Sequence, residues 1–200
     1  MNEIYIKATP PASTPLTTAK LMKTGQTTSY RTGDDGDFEA GRLTSFTVLA
    51  SNNPFGNTNR FTDTAGGQTY SNNIIVDWST YDGSTVLAYY KGDTNLRTWN
   101  AQIDQYLSSA LGGLTGWRVF NAYEAMNIMN LEKMTNYVYN YAPFNIAASP
   151  RYFWISNRPT GTSGCAVDSA AMGFFTSSTL TNALPSMWVR YCTVTGTTLT

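Results

Sequence analysis

Residues 98–129 read TWNAQIDQYLSSALGGLTGWRVFNAYEAMNIM, and the two periodicities inside this stretch decide the fold class. Trp99, Ile103, Leu107 and the pair Ala110 and Leu111 recur at helical spacing, which gives a helix one apolar face. Gly112-Gly113 then offers the left-handed conformation that ends a helix. Further on, Asn121 is followed three residues later by Glu124. That spacing is a capping box, in which each side chain satisfies an N–H group that the other end of the first turn leaves orphaned. The second helix so begun carries an apolar face of Ala125, Met126, Ile128 and Met129. Its methionines read as core filler, because an unbranched thioether adapts to irregular gaps.

On both sides of this helical centre the pattern changes to that of strands. Upstream, Phe46 and Val48 alternate with polar neighbours, and residues 74–78 and 86–90 are compact apolar runs. Downstream, strand signals return at 152–156, 170–175 and 187–194. In the last of these Met187, Val189 and Tyr191 share one face, and Trp188, Arg190 and Cys192 the other. Strands, two helices and strands again predict an α+β fold, with the helices flanking a twisted, mainly antiparallel sheet. Residues 1–20 differ: after Ile4-Tyr5-Ile6-Lys7 come Pro10, Pro11 and Pro15, which favour extended chain. The expected division is an extended N-terminal arm over 1–20, docked on a neighbour or else a loose tail, and one domain over 21–200.

Of the 200 residues, 42% are hydrophobic and only 13% charged, with 13 basic residues balancing 13 acidic ones. No net field favours nucleic acid or an anionic membrane, so neither is an expected partner. The first residues lack the continuous apolar stretch of a secretory signal, and no window is long and apolar enough for membrane insertion. A composition suited to surface proteins without an export signal fits a bacteriophage component, made in the host cytoplasm and carried on the virion.

Six short motifs occur in order: TGQTTSYRTGDDGD at 24–37, RFTD at 60–63, TW at 98–99, GWRV at 116–119, YFWIS at 152–156 and WVRYCTV at 188–194. Together they resemble the family typified by the C-terminal domain of the Legionella collagen-like adhesin, found in bacterial adhesins and phage fibre proteins. That resemblance implies a C-type-lectin-like fold and a role in carbohydrate or surface attachment, commonly as a homotrimer, with no reaction catalysed. Many members pair a cysteine in the first helix with one in the last strand. Here 102–107 contains none, so Cys192 lacks that partner. The adhesin's ligand class, sulfated polysaccharide, does not transfer, because this chain shows no basic cluster.

The chain contains no histidine, which excludes Ser-His-Asp and Cys-His catalysis and His-ligated metal sites. Paired carboxylates would suffice for a glycosidase, but Asp77, Asp82 and Glu124 have no spacing that singles them out. Asp34, Asp35, Asp37 and Glu39 cluster as calcium ligands do, without the spacing of a calcium loop. A hydrogen-bonded turn with Gly33 and Gly36 at positive φ explains them better. The calcium signatures of sugar-binding C-type lectins are absent as well, so neither cofactor nor metal is expected. Cys165 and Cys192 stand as a disulfide or as two free thiols, and synthesis in a reducing cytoplasm favours the thiols.

The expected ligand-binding residues lie in the polar, Gly-rich segment 157–168 and the connection 176–188: Asn157, Arg158, Asn182 and Trp188. They offer donors, acceptors and an aromatic face. The Arg158 fork could engage an acidic sugar or else lie over a neighbouring aromatic ring and serve packing alone. The expectation is a non-catalytic virion fibre, spike or decoration subunit that contacts host-surface glycan and is anchored to other virion proteins by its arm. A ligand-free structural subunit and a bacterial surface adhesin are the alternatives.

Overall fold

The apolar runs on either side of Gly83 become the centre of a sheet. β2 (Ile74–Asp77) and β3 (Thr85–Tyr90) pair antiparallel across a turn where Gly83 has φ +103°, a conformation that side chains bearing a Cβ resist. Asp82 closes the turn by accepting from the N–H groups of Ser84 and Thr85. The structure, a computed structural model, describes residues 29–34, 37, 47–91, 95–128, 143–144, 152–158, 160–168 and 175–200. The proposed arm at 1–20, together with Phe46, Met129 and residues 170–174 of an expected strand, lies outside these.

Outward from that centre, β1 (Phe61–Thr62) pairs with β2, and β8 (Trp188–Thr195) pairs with β3. β4 (Arg118–Val119) flanks β8, for the order β1-β2-β3-β8-β4, and β9 (Thr198–Leu199) folds back on the end of β8. Every pairing is antiparallel. A second antiparallel sheet consists of β5 (Tyr152–Trp154), β6 (Ser163–Asp168) and β7 (Phe175–Thr179). The backbone joins it to the segment before β8: Trp154 N–H donates to the Pro185 carbonyl at 2.8 Å.

Two α-helices are present among the described residues. In α1 (Trp99–Leu107) the Thr98 hydroxyl accepts from Ala101 N–H. α2 (Ala122–Asn127) opens with the expected capping box, Asn121 accepting from Glu124 N–H at 3.0 Å and Glu124 from Asn121 N–H at 2.8 Å. The helices cover opposite faces of the larger sheet. Tyr106 of α1 packs on Trp188, ring centroids 3.6 Å apart, whereas the Tyr89 hydroxyl donates to the Glu124 carbonyl in α2. Trp188 pairs with Tyr90 and Val189 with Tyr89, and the strand period of two sends these pairs to opposite sides. With both faces covered, Ile74, Ile75, Val76 and Met187, Trp188, Val189 are all buried.

Several expectations are corrected. The first helix stops at Leu107, short of Ala110 and Leu111. Gly112 and Gly113, at φ +59° and +77°, instead form a two-residue turn across which Leu111 and Leu114 exchange both backbone hydrogen bonds. Two consecutive positive φ angles are the signature of a hairpin turn, and hydrophobic spacing alone does not distinguish it from a helix stop. Val48 is buried but belongs to no strand. Ala125 of α2 and Ile128, its C-cap, are buried, while Met126 is 44% exposed, so it is not core filler. The segment 157–168 is not a continuous loop, since its second half is β6.

Candidate functional site

Strand periodicity in the smaller sheet brings six side chains to one face. Ala166 stands opposite Trp154 and Thr176, Gly164 opposite Ser178, and Tyr152 opposite Asp168, so Tyr152, Trp154, Ala166, Asp168, Thr176 and Ser178 point the same way. Toward Gly164 this face is filled by indoles. A Cβ at Gly164 would stand 2.6 Å from Trp99 Cδ1 and 3.1 Å from Trp154 Cζ3, so only glycine fits beneath them. Both rings are fixed by their N–H groups, Trp99 Nε1 to the Ile155 carbonyl at 2.9 Å and Trp154 Nε1 to the Arg97 carbonyl at 3.1 Å.

Beyond the indoles the floor is the single methyl of Ala166, and the face opens into a pocket of about 410 Å³. Tyr152 lines one part of it, Thr176 and Ser178 another, and Asn182 and Leu184 a third. The loop carrying Asn182 is held in place. Asn182 Nδ2 donates to Ser178 Oγ at 2.7 Å and Asn182 N–H to the Thr179 carbonyl at 3.0 Å. Leu184 exchanges backbone hydrogen bonds with Arg97, and Gln102 of α1 donates to the Leu184 carbonyl at 2.8 Å. The pocket therefore presents hydroxyls, an amide and a phenol ring on a preorganised sheet, and its described lining contains no acid–base pair.

Of the four expected ligand-binding residues, the described lining includes Asn182 alone. Asn157 is exposed, and its Oδ1 accepts from Ala122 N–H at 2.8 Å, tying its loop to the start of α2. The Arg158 guanidinium lies over the Trp99 ring, 5.4 Å from its centroid. It also donates through Nε to the Thr160 carbonyl at 3.0 Å and through Nη2 to the Gly161 carbonyl. This is the packing alternative raised for Arg158. Trp188 is 3% exposed and wedged beside Tyr90 and Tyr106, so it presents no face to a ligand. It belongs to a core strand where the sequence placed it at the end of a surface connection. Tyr152, Thr176 and Ser178 were missed. Their signal was the alternation of YFW and FTSST, legible only once the register of three strands is known.

The candidate carboxylates are each engaged in holding the fold. Asp77 pairs with Arg60 and accepts from Asn127 Nδ2 at 2.8 Å. Glu124 adds an ion pair with Arg118 to its capping role, and this pairing raises the Arg118 pKa. Asp82 sits in its turn, where the N–H groups of Thr85 and Ser84 hold its carboxyl below the usual range. Asp34 accepts from the N–H groups of Tyr30 and Arg31, and Asp37 from that of Gly33; Gly33 has the expected positive φ, while Asp35, Gly36 and Glu39 of that cluster lie outside the described residues. Among the described residues no group of three His, Cys, Asp or Glu side chains could hold a metal ion, and no helix is long and apolar enough to cross a membrane. Cys165 and Cys192 are free thiols, both with pKa values raised by burial. In comparison with known proteins, the chain matches no family model and no curated protein.

Proposed function

We propose that this chain is a non-catalytic attachment domain with a C-type-lectin-like fold, carried on a bacteriophage virion, which binds host-surface glycan in the Tyr152–Asn182 pocket. The observation that carries the reading is the chemistry of the lining. Hydroxyl and amide groups both donate and accept, as sugar hydroxyls require, and a phenol ring offers an apolar face to a pyranose. Strands position Tyr152, Thr176 and Ser178, hydrogen bonds to Ser178 and Thr179 hold the Asn182 loop, and the pocket volume lies in the range of small-molecule sites. Support for the lectin-like assignment comes from the six ordered motifs and from two helices flanking an antiparallel sheet. Fold likeness alone would not assign a ligand.

Binding to host cells by the wild-type protein and by Thr176→Trp tests the reading. Thr176 is exposed at the pocket, so an indole there should fill it without entering the core. Loss of cell binding with an unchanged melting temperature is the expected result. Equal binding by both proteins would remove the pocket from the function.

A ligand-free structural subunit is the second reading, favoured by exposed aromatics elsewhere. Tyr123 is 82% exposed and Tyr191 57%, and the Arg118 guanidinium stands 5.8 Å from the Tyr191 ring centroid. Tyr and Arg are enriched at protein interfaces, which suits the proposed homotrimer and contacts to other virion proteins. Light scattering of wild type and Tyr123→Ala/Tyr191→Ala separates the readings. A trimer that falls apart on this substitution while cell binding is absent in both would favour the structural subunit.

A further inference from the structure

We infer that β7 is a docking edge for a second copy of this chain, the two β7 strands pairing antiparallel about a twofold axis and joining the smaller sheets of both copies into one. β7 (Phe175–Thr179) ends the order β5-β6-β7. At the other end of that sheet the β5 edge is closed, because Trp154 N–H donates to the Pro185 carbonyl and Trp154 bridges Ser186. The larger sheet ends on β1 and β4, each only two residues long. β7 is longer, and Thr176, Ser177 and Thr179 are exposed along it. Edge strands are ordinarily protected by charge, by proline or by brevity. β7 carries no such protection: residues 169–189 contain no charged side chain, and their one proline, Pro185, lies beyond the strand.

The register decides which backbone groups this edge offers. Leu180 N–H donates to the Thr162 carbonyl across the β6–β7 pair, so Thr176 and Ser178 turn their backbone groups to β6, and Ser177 turns its N–H and carbonyl outward. A copy rotated by half a turn sets Ser177 against Ser177, where the two exchange both backbone hydrogen bonds, and Thr176 against Ser178, a cross-strand hydroxyl pair. An uncharged strand opposes no like charges when it meets itself, and its copy matches it in length. Opposed side chains share a face, so both Tyr152–Asn182 pockets open on the same side beside the seam, which Thr176 and Ser178 line. The association does not rest on the glycan reading, and it uses other residues than Tyr123 and Tyr191.

Sedimentation equilibrium of the full chain from about 1 μM to about 1 mM reads the association, for wild type, Ser177→Lys and Ser177→Glu. Ser177 is exposed, so both variants should keep the wild-type melting temperature. Wild type should double in mass as concentration rises, whether the starting unit is one chain or the proposed trimer. Each variant sets like charges directly opposite one another and should associate about fivefold or more weakly. An equimolar mixture of the two variants should regain the association, because opposite charges then meet across the seam. Wild type that stays unassociated over this range would overturn the inference, and so would association unaltered in both variants. Association lost in both variants and not regained on mixing would overturn it too, by showing that the edge takes a different strand.

Discussion

Arg60 grips Asp77 through two parallel hydrogen bonds, Nε to Oδ1 at 3.0 Å and Nη2 to Oδ2 at 2.8 Å, with both side chains out of solvent. The same guanidinium donates to the Asn127 carbonyl at 2.7 Å, so one buried pair fastens the residue leading into β1, the end of β2 and the end of α2 together. Removing one partner strands a buried charge, which costs far more than a surface pair contributes. Asp77→Ala should lower unfolding free energy by about 3–5 kcal/mol, read from urea denaturation. A loss no larger than that of an exposed substitution would show that the pair carries little of the stability.

Gly164 lies under two indoles, and a methyl group there has no room. Gly164→Ala should destabilise by about 1–3 kcal/mol, the range for overpacking a core. It should also shift tryptophan emission, because Trp99 and Trp154 must move. Unchanged emission and stability would mean the rings yield without cost.

Trp188 is buried with its indole Nε1 lacking a hydrogen-bond partner among the described residues, whereas Trp117 Nε1 donates to the Leu114 carbonyl at 2.8 Å. Replacement by phenylalanine shrinks both side chains but forfeits a bond only at Trp117, a difference of about 1 kcal/mol. Trp188→Phe should therefore unfold at higher urea than Trp117→Phe. Trp188→Ala, which empties the site, should lose about 3–5 kcal/mol. The reverse order of the two phenylalanine variants would show that the Trp188 N–H is satisfied.

Asp82 accepts from the N–H groups and hydroxyls of both Ser84 and Thr85, and these bonds depress its pKa from the ordinary 3.8. A carboxyl with a depressed folded pKa contributes stability that is complete above its unfolded value and is lost as pH falls through the folded one. The melting-temperature gap between wild type and Asp82→Ala should be constant near neutrality. It should narrow below about pH 4, as protonation of the unfolded chain becomes favourable. A gap that widens in acid would contradict the sign of the shift.

Much of the architecture is legible locally. The Asn121–Glu124 capping box needs only its own four residues to form, and the runs at 74–78 and 86–90 were apolar enough to mark central strands. The hydrogen bonds that Asp34 and Asp37 accept likewise come from neighbours in the chain. The helix stop was misplaced because Gly112-Gly113 serves a hairpin turn equally well, and the backbone bonds between Leu111 and Leu114 decide which. The Arg158 and Trp188 assignments depended on which surface each residue would meet.

Tertiary structure alone decided the candidate site. The amino-acid sequence marked the central strands and the start of the second helix, since periodicity and capping act over a few residues. It left open that β8 would be covered on both faces, which buries Trp188, and that Trp99 would arrive from α1 to take Arg158. Nor did it reveal that Tyr152, Ala166, Thr176 and Ser178 share a face. That fact depends on the register of three strands, and register is fixed by packing between segments distant in the chain.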